Sequence, residues 1–256
     1  MTTPALRTAL MALLGTLASS LAWVVPASAV TITNLTTATS LFSDDFENGT
    51  FAPSVGAWNV VGQFVSVTNS IVPPAPGPAQ GSFYAQLFRQ DLTVDNEGAL
   101  RAGLSSAQTT PGDVIRLSMM VYIPDDGVDS RGQFMLDNED FHTARAWVRP
   151  DGNGHVIAVG PGTALTDTGL SYKPNAWQEW DLQYAIGAST FSVSVDGHTA
   201  SGLASFSSGG VADANLFNGD STPGSFFLDA VTVPEPSSFA LTLLALAGLA
   251  VRPRRR

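Results

Sequence analysis

Residues 178–196 read Gln-Glu-Trp-Asp-Leu-Gln-Tyr-Ala-Ile-Gly-Ala-Ser-Thr-Phe-Ser-Val-Ser-Val-Asp, and this stretch decides the fold. Trp180, Leu182, Tyr184 and Ile186 alternate with Glu179, Asp181 and Gln183, and Phe191, Val193 and Val195 alternate with Ser192 and Ser194. Strand side chains point to opposite faces in turn, so each half reads as a strand with one buried face. Asp196-Gly197 then closes the second strand with hairpin chemistry. Strands buried on one face only belong to antiparallel sheets.

The same period extends outward. In residues 113–124, Ile115, Leu117, Met119, Val121 and Ile123 share one face, opposite Val114, Arg116, Ser118, Met120 and Tyr122. Pro150-Asp-Gly-Asn-Gly154 predicts a hairpin between residues 144–149 and 155–159. The proline run Val72–Pro78 cannot pair inside a sheet. It reads as a long loop rather than a linker, because the roughly forty residues before it are too few for a core. No helical period appears between Val30 and Val233. With roughly ten to thirteen strands, the expectation is all-β: a two-sheet antiparallel sandwich with jelly-roll connections.

Composition agrees. Charged residues make up 13% of the 256, against about 25% in ordinary domains, while Gly 24 and Pro 16 favour turns. The absence of a glycine period and of heptads, with 44% hydrophobic residues, excludes collagen, coiled coil and a disordered polar tail. All 22 acidic residues lie between Asp44 and Glu235 with only seven basic ones, a balance of −15 there. Phosphate backbones would be repelled, so nucleic acid is excluded as a partner. Zero cysteines exclude thiol catalysis, Cys-based zinc sites and iron–sulfur clusters. A middle of about two hundred residues buries an adequate core without disulfides.

Both ends read as addresses. Residues 1–29 form a secretory signal helix: Arg7 starts it, residues 9–25 are mostly apolar, and Ala27-Ser28-Ala29 supplies the small-residue cleavage pattern for signal peptidase. Residues 30–233 are then the mature domain. Residues 234–256 form a tail in three parts: Pro234-Glu235-Pro236, an apolar helix former over 239–251, and Arg252-Pro253-Arg254-Arg255-Arg256. The apolar part would span about 20 Å as a helix, a short fit to a hydrocarbon core of roughly 30 Å. The arginines hold its far end on the cytoplasmic side.

This tail resembles the PEP-CTERM sorting signal of Gram-negative bacteria. The resemblance implies a short transmembrane helix that anchors the chain until an exosortase removes the tail. It also implies delivery to the cell surface or extracellular matrix of a bacterium that makes exopolysaccharide. Within the middle, Phe42-Ser-Asp-Asp-Phe-Glu-Asn-Gly49 with Trp58 resembles the opening strand of carbohydrate-binding-module sandwiches. Trp177-Gln-Glu-Trp180 and Phe191–Gly197 resemble late strands of concanavalin A-like domains, and Phe226–Val233 resembles the last strand of both groups. These likenesses imply a concanavalin A-like sandwich. They also imply a structural calcium between first and last strands, with Asp45, Glu47 and Asp229 as its ligands. Asp125-Asp-Gly-Val-Asp129 is a second acidic loop.

Concanavalin A-like glucanases carry Glu-x-Asp-x-x-Glu on one strand. Here Glu179-Trp-Asp-Leu-Gln-Tyr184 has Tyr184 in the last place, on the opposite face from Glu179 and Asp181. No catalytic residue is therefore assigned, and the domain is expected not to be an enzyme. Asp137-Asn-Glu-Asp140 with His142 reads as a polar loop, and His142, His155 and His198 lack zinc spacing. For sugar, the needed device is an aromatic surface beside planar polar groups. Arg145, Trp147 and Arg149 supply it on one strand face, with Ala144, Ala146 and Val148 opposite. The expected function is an exported, non-enzymatic sandwich that binds exopolysaccharide. The alternatives are a structural or adhesive surface protein without a sugar site, or a polysaccharide hydrolase whose catalytic residues the sequence does not reveal.

Overall fold

The computed structural model describes residues 30–61, 65–71, 76–89, 98–125, 132–138, 143–218 and 224–229. These contain sixteen strands. The first eight are β1 (Val30–Asn34), β2 (Thr39–Asp44), β3 (Ala57–Val61), β4 (Val65–Thr68), β5 (Tyr84–Arg89), β6 (Ala99–Gln108), β7 (Val114–Tyr122) and β8 (Gly132–Asp137). They continue with β9 (Ala146–Pro150), β10 (His155–Val159), β11 (Leu165–Ser171), β12 (Trp177–Ala185), β13 (Thr190–Val195), β14 (His198–Ala204), β15 (Val211–Asn218) and β16 (Gly224–Asp229).

The strands form two antiparallel sheets. A nine-stranded sheet runs β14-β13-β12-β7-β16-β5-β4, with β1 and β2 attached beside β7. One edge of β7 is shared: β1 pairs with Ile115–Met119 and β16 with Met120–Tyr122. A seven-stranded sheet runs β11-β10-β9-β8-β15-β6-β3.

The period-2 stretches behave as their pattern requires. Ile115, Leu117, Met119 and Val121 of β7, Trp180, Leu182 and Tyr184 of β12, and Phe191, Val193 and Val195 of β13 are all buried in one core. From the other sheet, Phe134 of β8 meets Trp180 edge-on at 5.3 Å and Phe226 of β16 at 5.3 Å. Such ring pairs contribute about 1 kcal/mol each beyond their buried area. The turn signals hold too. Asp196 and Gly197 both have positive φ, 47° and 79°, as a two-residue turn matched to strand twist requires. Between β9 and β10, Asp151 Oδ1 accepts the N–H groups of Asn153 (2.8 Å) and His155 (2.9 Å).

Two expectations are corrected. The strand count exceeds the expected thirteen, because β3 and β11 carry no apolar alternation and β4, with only Val65–Thr68, is too short to show one. The stretch 42–49 is not an opening strand. It contains only the end of the second strand, β2, and the chain turns at Phe46, whose φ is 59°. The turn is held by Asp44, which accepts the Phe46 N–H at 2.9 Å and the Trp58 indole N–H. Of the expected last strand, Phe226–Asp229 lie in β16 and residues 230–233 lie outside the described residues. The signal segment 1–29, the tail 234–256 and residues 72–75 of the proline run lie outside them as well.

Candidate functional site

Alternation on the seven-stranded sheet sends Phe134, Leu136, Ala146, Val148, Ala214 and Leu216 inward to the core. The intervening residues face outward, and register sets them in rows. Met135 lies opposite both Trp147 and Asn215, Asp137 opposite Asp213, Gln133 opposite Phe217, and Asn215 opposite Arg101. Part of this face is apolar: Ala99, Met135, Ala144 and Phe217 form a second buried cluster against Trp147 and Phe206.

Beside it lies a buried polar network. Arg101 donates from Nε (2.9 Å) and Nη2 (2.5 Å) to Asp213 Oδ2. The Asn215 amide nitrogen donates to Asp213 Oδ1 and to Asp137 Oδ2, each at 3.2 Å, bridging the two carboxylates. Asp137 Oδ1 also accepts the Thr143 hydroxyl at 2.8 Å and the Asn138 N–H at 2.6 Å. Burial pushes the Asp137 carboxyl above its ordinary value. The Thr143 and Asn138 hydrogen bonds pull it back, Asp213 raises it further and Arg145 lowers it. Desolvation wins because Asp137 is fully inaccessible to water.

At the β3 side of the same sheet a cleft of about 300 Å³ opens, lined by Ala57, Trp58, Asn59, Arg101, Gly103, Leu104, Ala212 and Asp213. It exposes one flank of the Arg101–Asp213 pair, whose arginine side chain is 30% accessible.

The expected sugar trio divides. Trp147 and Arg149 are half-buried on β9, facing out from the seven-stranded sheet. The Trp147 indole N–H donates to Gln133 Oε1 at 2.9 Å and its ring lies 5.8 Å from Phe206. Arg145 is buried at 6% just before the strand, donating from Nε to Gly210 O at 2.8 Å and from Nη1 to the Ser207 hydroxyl. It fastens the loop before β15. Ala144 sits in the outer cluster with Trp147 rather than opposite it, because regular alternation begins only at Ala146.

Of the expected calcium ligands, two hold the same loop. Glu47 accepts the N–H groups of Ser82 (2.9 Å) and Phe83 (3.1 Å), and Asp229 accepts those of Ala79 and Gln80 (3.0 Å to the latter). One loop, 79–83, thus lies between carboxylates from chain-distant segments. Asp45 is exposed and accepts the Glu47 N–H at 3.1 Å. Among the described residues no three His, Cys, Asp or Glu side chains gather as a metal-holding group.

Glu179 and Asp181 sit on the outer face of the nine-stranded sheet, held by Arg116. Its Nε and Nη2 meet Asp181 at 2.8 and 2.7 Å, and Nη2 meets Glu179 at 3.3 Å. Burial and the neighbouring Asp181 raise Glu179, and Arg116 lowers it. Tyr184 points the other way, into the core, its hydroxyl bonded to the backbone at Gly187 and Gly209. Residues 126–129 of the second acidic loop, with Glu139, Asp140 and His142, lie outside the described residues.

Sequence reasoning missed Arg101, Gln133, Asp213 and Asn215. The available signal was parity: in Gly132–Asp137 and Val211–Asn218, polar residues hold the positions alternate to core residues.

The fold has solved counterparts. A sialidase matches at TM-score 0.53 with 10% identity, over 82% of this chain and 21% of that one. The chain therefore spans about a fifth of the sialidase's length. The shared fold is a β-sandwich. The globular domain of T. cruzi calreticulin matches at 0.46 (13% identity, 75% and 90% covered). Carbohydrate-binding module CBM66 from Bacillus subtilis matches at 0.42 (14% identity, 69% and 95% covered). No family model matches the chain, and no curated protein does.

Proposed function

We propose that this chain is an exported, non-enzymatic β-sandwich that binds extracellular polysaccharide. The observation that supports it is the outward face of the seven-stranded sheet, where the half-buried Trp147 and Arg149 stand on β9 and the partly exposed Arg101 stands on β6. Sugars need that mixture, because their ring faces are apolar and their rims carry hydroxyls. The paired carboxylates supply no separate argument for hydrolysis. Asp137 and Asp213 are both engaged by Asn215, while Glu179 and Asp181 are engaged by Arg116.

The concanavalin A-like connectivity, the sorting tail and the surface destination belong to this proposal and rest on the sequence resemblances. Signal peptidase and exosortase are the processing partners it requires, with the membrane holding the tail meanwhile. Affinity electrophoresis of the full chain in gels containing glucan, galactan or polyuronate tests the binding. Retardation in at least one gel is expected, with Trp147→Ala weakening it. Free migration in every gel would leave the structural or adhesive alternative.

A structural calcium joins the proposal at Glu47 and Asp229, whose hard oxygens flank one loop. Chelation is then expected to lower Tm by several degrees, and an unchanged Tm removes the cation.

A further inference from the structure

We propose that the cleft beside β3 is a subsite for one neutral pyranose residue, read through an adjacent pair of hydroxyls by Asn59 and by Arg101, which Asp213 holds in place. This rests on the sugar-binding reading above and gives it a place and a ligand class.

The first argument is the space left open above Gly103. Gly103 lies within β6, opposite Asp213 on one side and Ala57 on the other. Its φ is not among the positive ones, and an added Cβ would meet only the Ala57 carbonyl oxygen at 3.5 Å, ordinary contact. Glycine inside a strand marks a bulge or a close approach; the β6–β15 register shifts just beyond Gly103, and the missing side chain also leaves the cleft open above it. Here a larger side chain would project into the cleft. Ala57 and Ala212 line the same space, so its floor is made of small residues.

The second argument is the wall. Arg101 and Asp213 are locked together, so the pair adds no net charge; the carboxylate is buried and taken up by Arg101 and Asn215, and what the pair presents to the cleft is the 30% accessible guanidinium with its N–H donors. Asn59, exposed on β3, adds one more donor and acceptor. A vicinal diol has matching needs, since each hydroxyl both gives and takes a hydrogen bond. A uronate fits poorly: the neutral pair offers no surplus positive charge, and the span Asp44–Glu235 carries 22 acidic against seven basic residues. At about 300 Å³ the cleft is at the small end for ligand sites, suited to a single sugar ring rather than a long groove.

Affinity electrophoresis of the full chain in neutral glucan, neutral galactan and polygalacturonate gels provides the test. Retardation in a neutral gel is expected. Gly103→Trp, which fills the cleft, should weaken it about tenfold or more, and Asn59→Ala, at an exposed side chain, by a few-fold. Gly103→Ala should keep most of the affinity and serves as the folding control. If the wild type binds a neutral polymer and both Gly103→Trp and Asn59→Ala bind equally well, the subsite is rejected while sugar binding stands. Binding to polygalacturonate alone rejects the ligand class. Retardation in none of the three rejects the sugar-binding reading, and the subsite with it.

Discussion

The two sheets each turn one face away from the shared core, and they treat charge differently. On the nine-stranded sheet, Arg116 spans Glu179 and Asp181 with side chains 35%, 39% and 13% accessible. On the seven-stranded sheet, Asp137 and Asp213 are almost fully buried, bridged by Asn215 and countered by Arg101. The chemistry is similar and the surroundings are not. Charge left in water contributes little to stability and is free of structural consequence. Charge taken out of water must be fully bonded and is therefore fixed in position.

The comparison breaks most visibly under truncation. Asp213→Ala is expected to cost about 2 kcal/mol in urea denaturation, because it strands Arg101 and Asn215, with Arg101 only partly rescued by water. A loss no larger than for an exposed residue would show that the network is solvated.

Protonation sharpens the contrast. Asp137 has its folded pKa raised above the ordinary 3.8. Its contribution is therefore fully present below that value and is lost as pH rises through the folded pKa. Asp137→Asn should gain stability relative to wild type across that rise and level off above it. Glu179 is also raised, so Glu179→Gln should trend the same way by less, because water reaches it. Equal or opposite slopes in paired urea titrations between pH 3 and 7 would contradict this.

The smallest effect belongs to Asp181→Ala. It should cost less than about 1 kcal/mol, shrinking further in 1 M salt, as for other partly exposed pairs.

Much of this architecture was legible without coordinates. In Val114–Tyr122, Trp177–Ala185 and Thr190–Val195 the alternation of apolar and polar residues identified the strands and their inner faces, and Asp196-Gly197 marked the hairpin between β13 and β14. Strands β3, β11 and β14 were not legible, since edge strands with mostly exposed side chains show no period. The site was legible in fragments. Trp147 and Arg149 could be placed on one strand face, yet Arg145 is claimed by a loop some sixty residues onward, which strand parity cannot register.

By itself the sequence determined which residues alternate, where the chain must turn and how acidic the domain is, because these depend on neighbours along the chain. Tertiary structure alone decided that β8 and β15 lie side by side, so that Asp137 faces Asp213, and that β3 closes a cleft over Gly103. Those contacts join segments from 46 residues apart (Gly103 against Ala57) to 76 apart (Asp213 against Asp137). No local rule of spacing or propensity reaches that far, because pairing partners are chosen by the burial of a whole core.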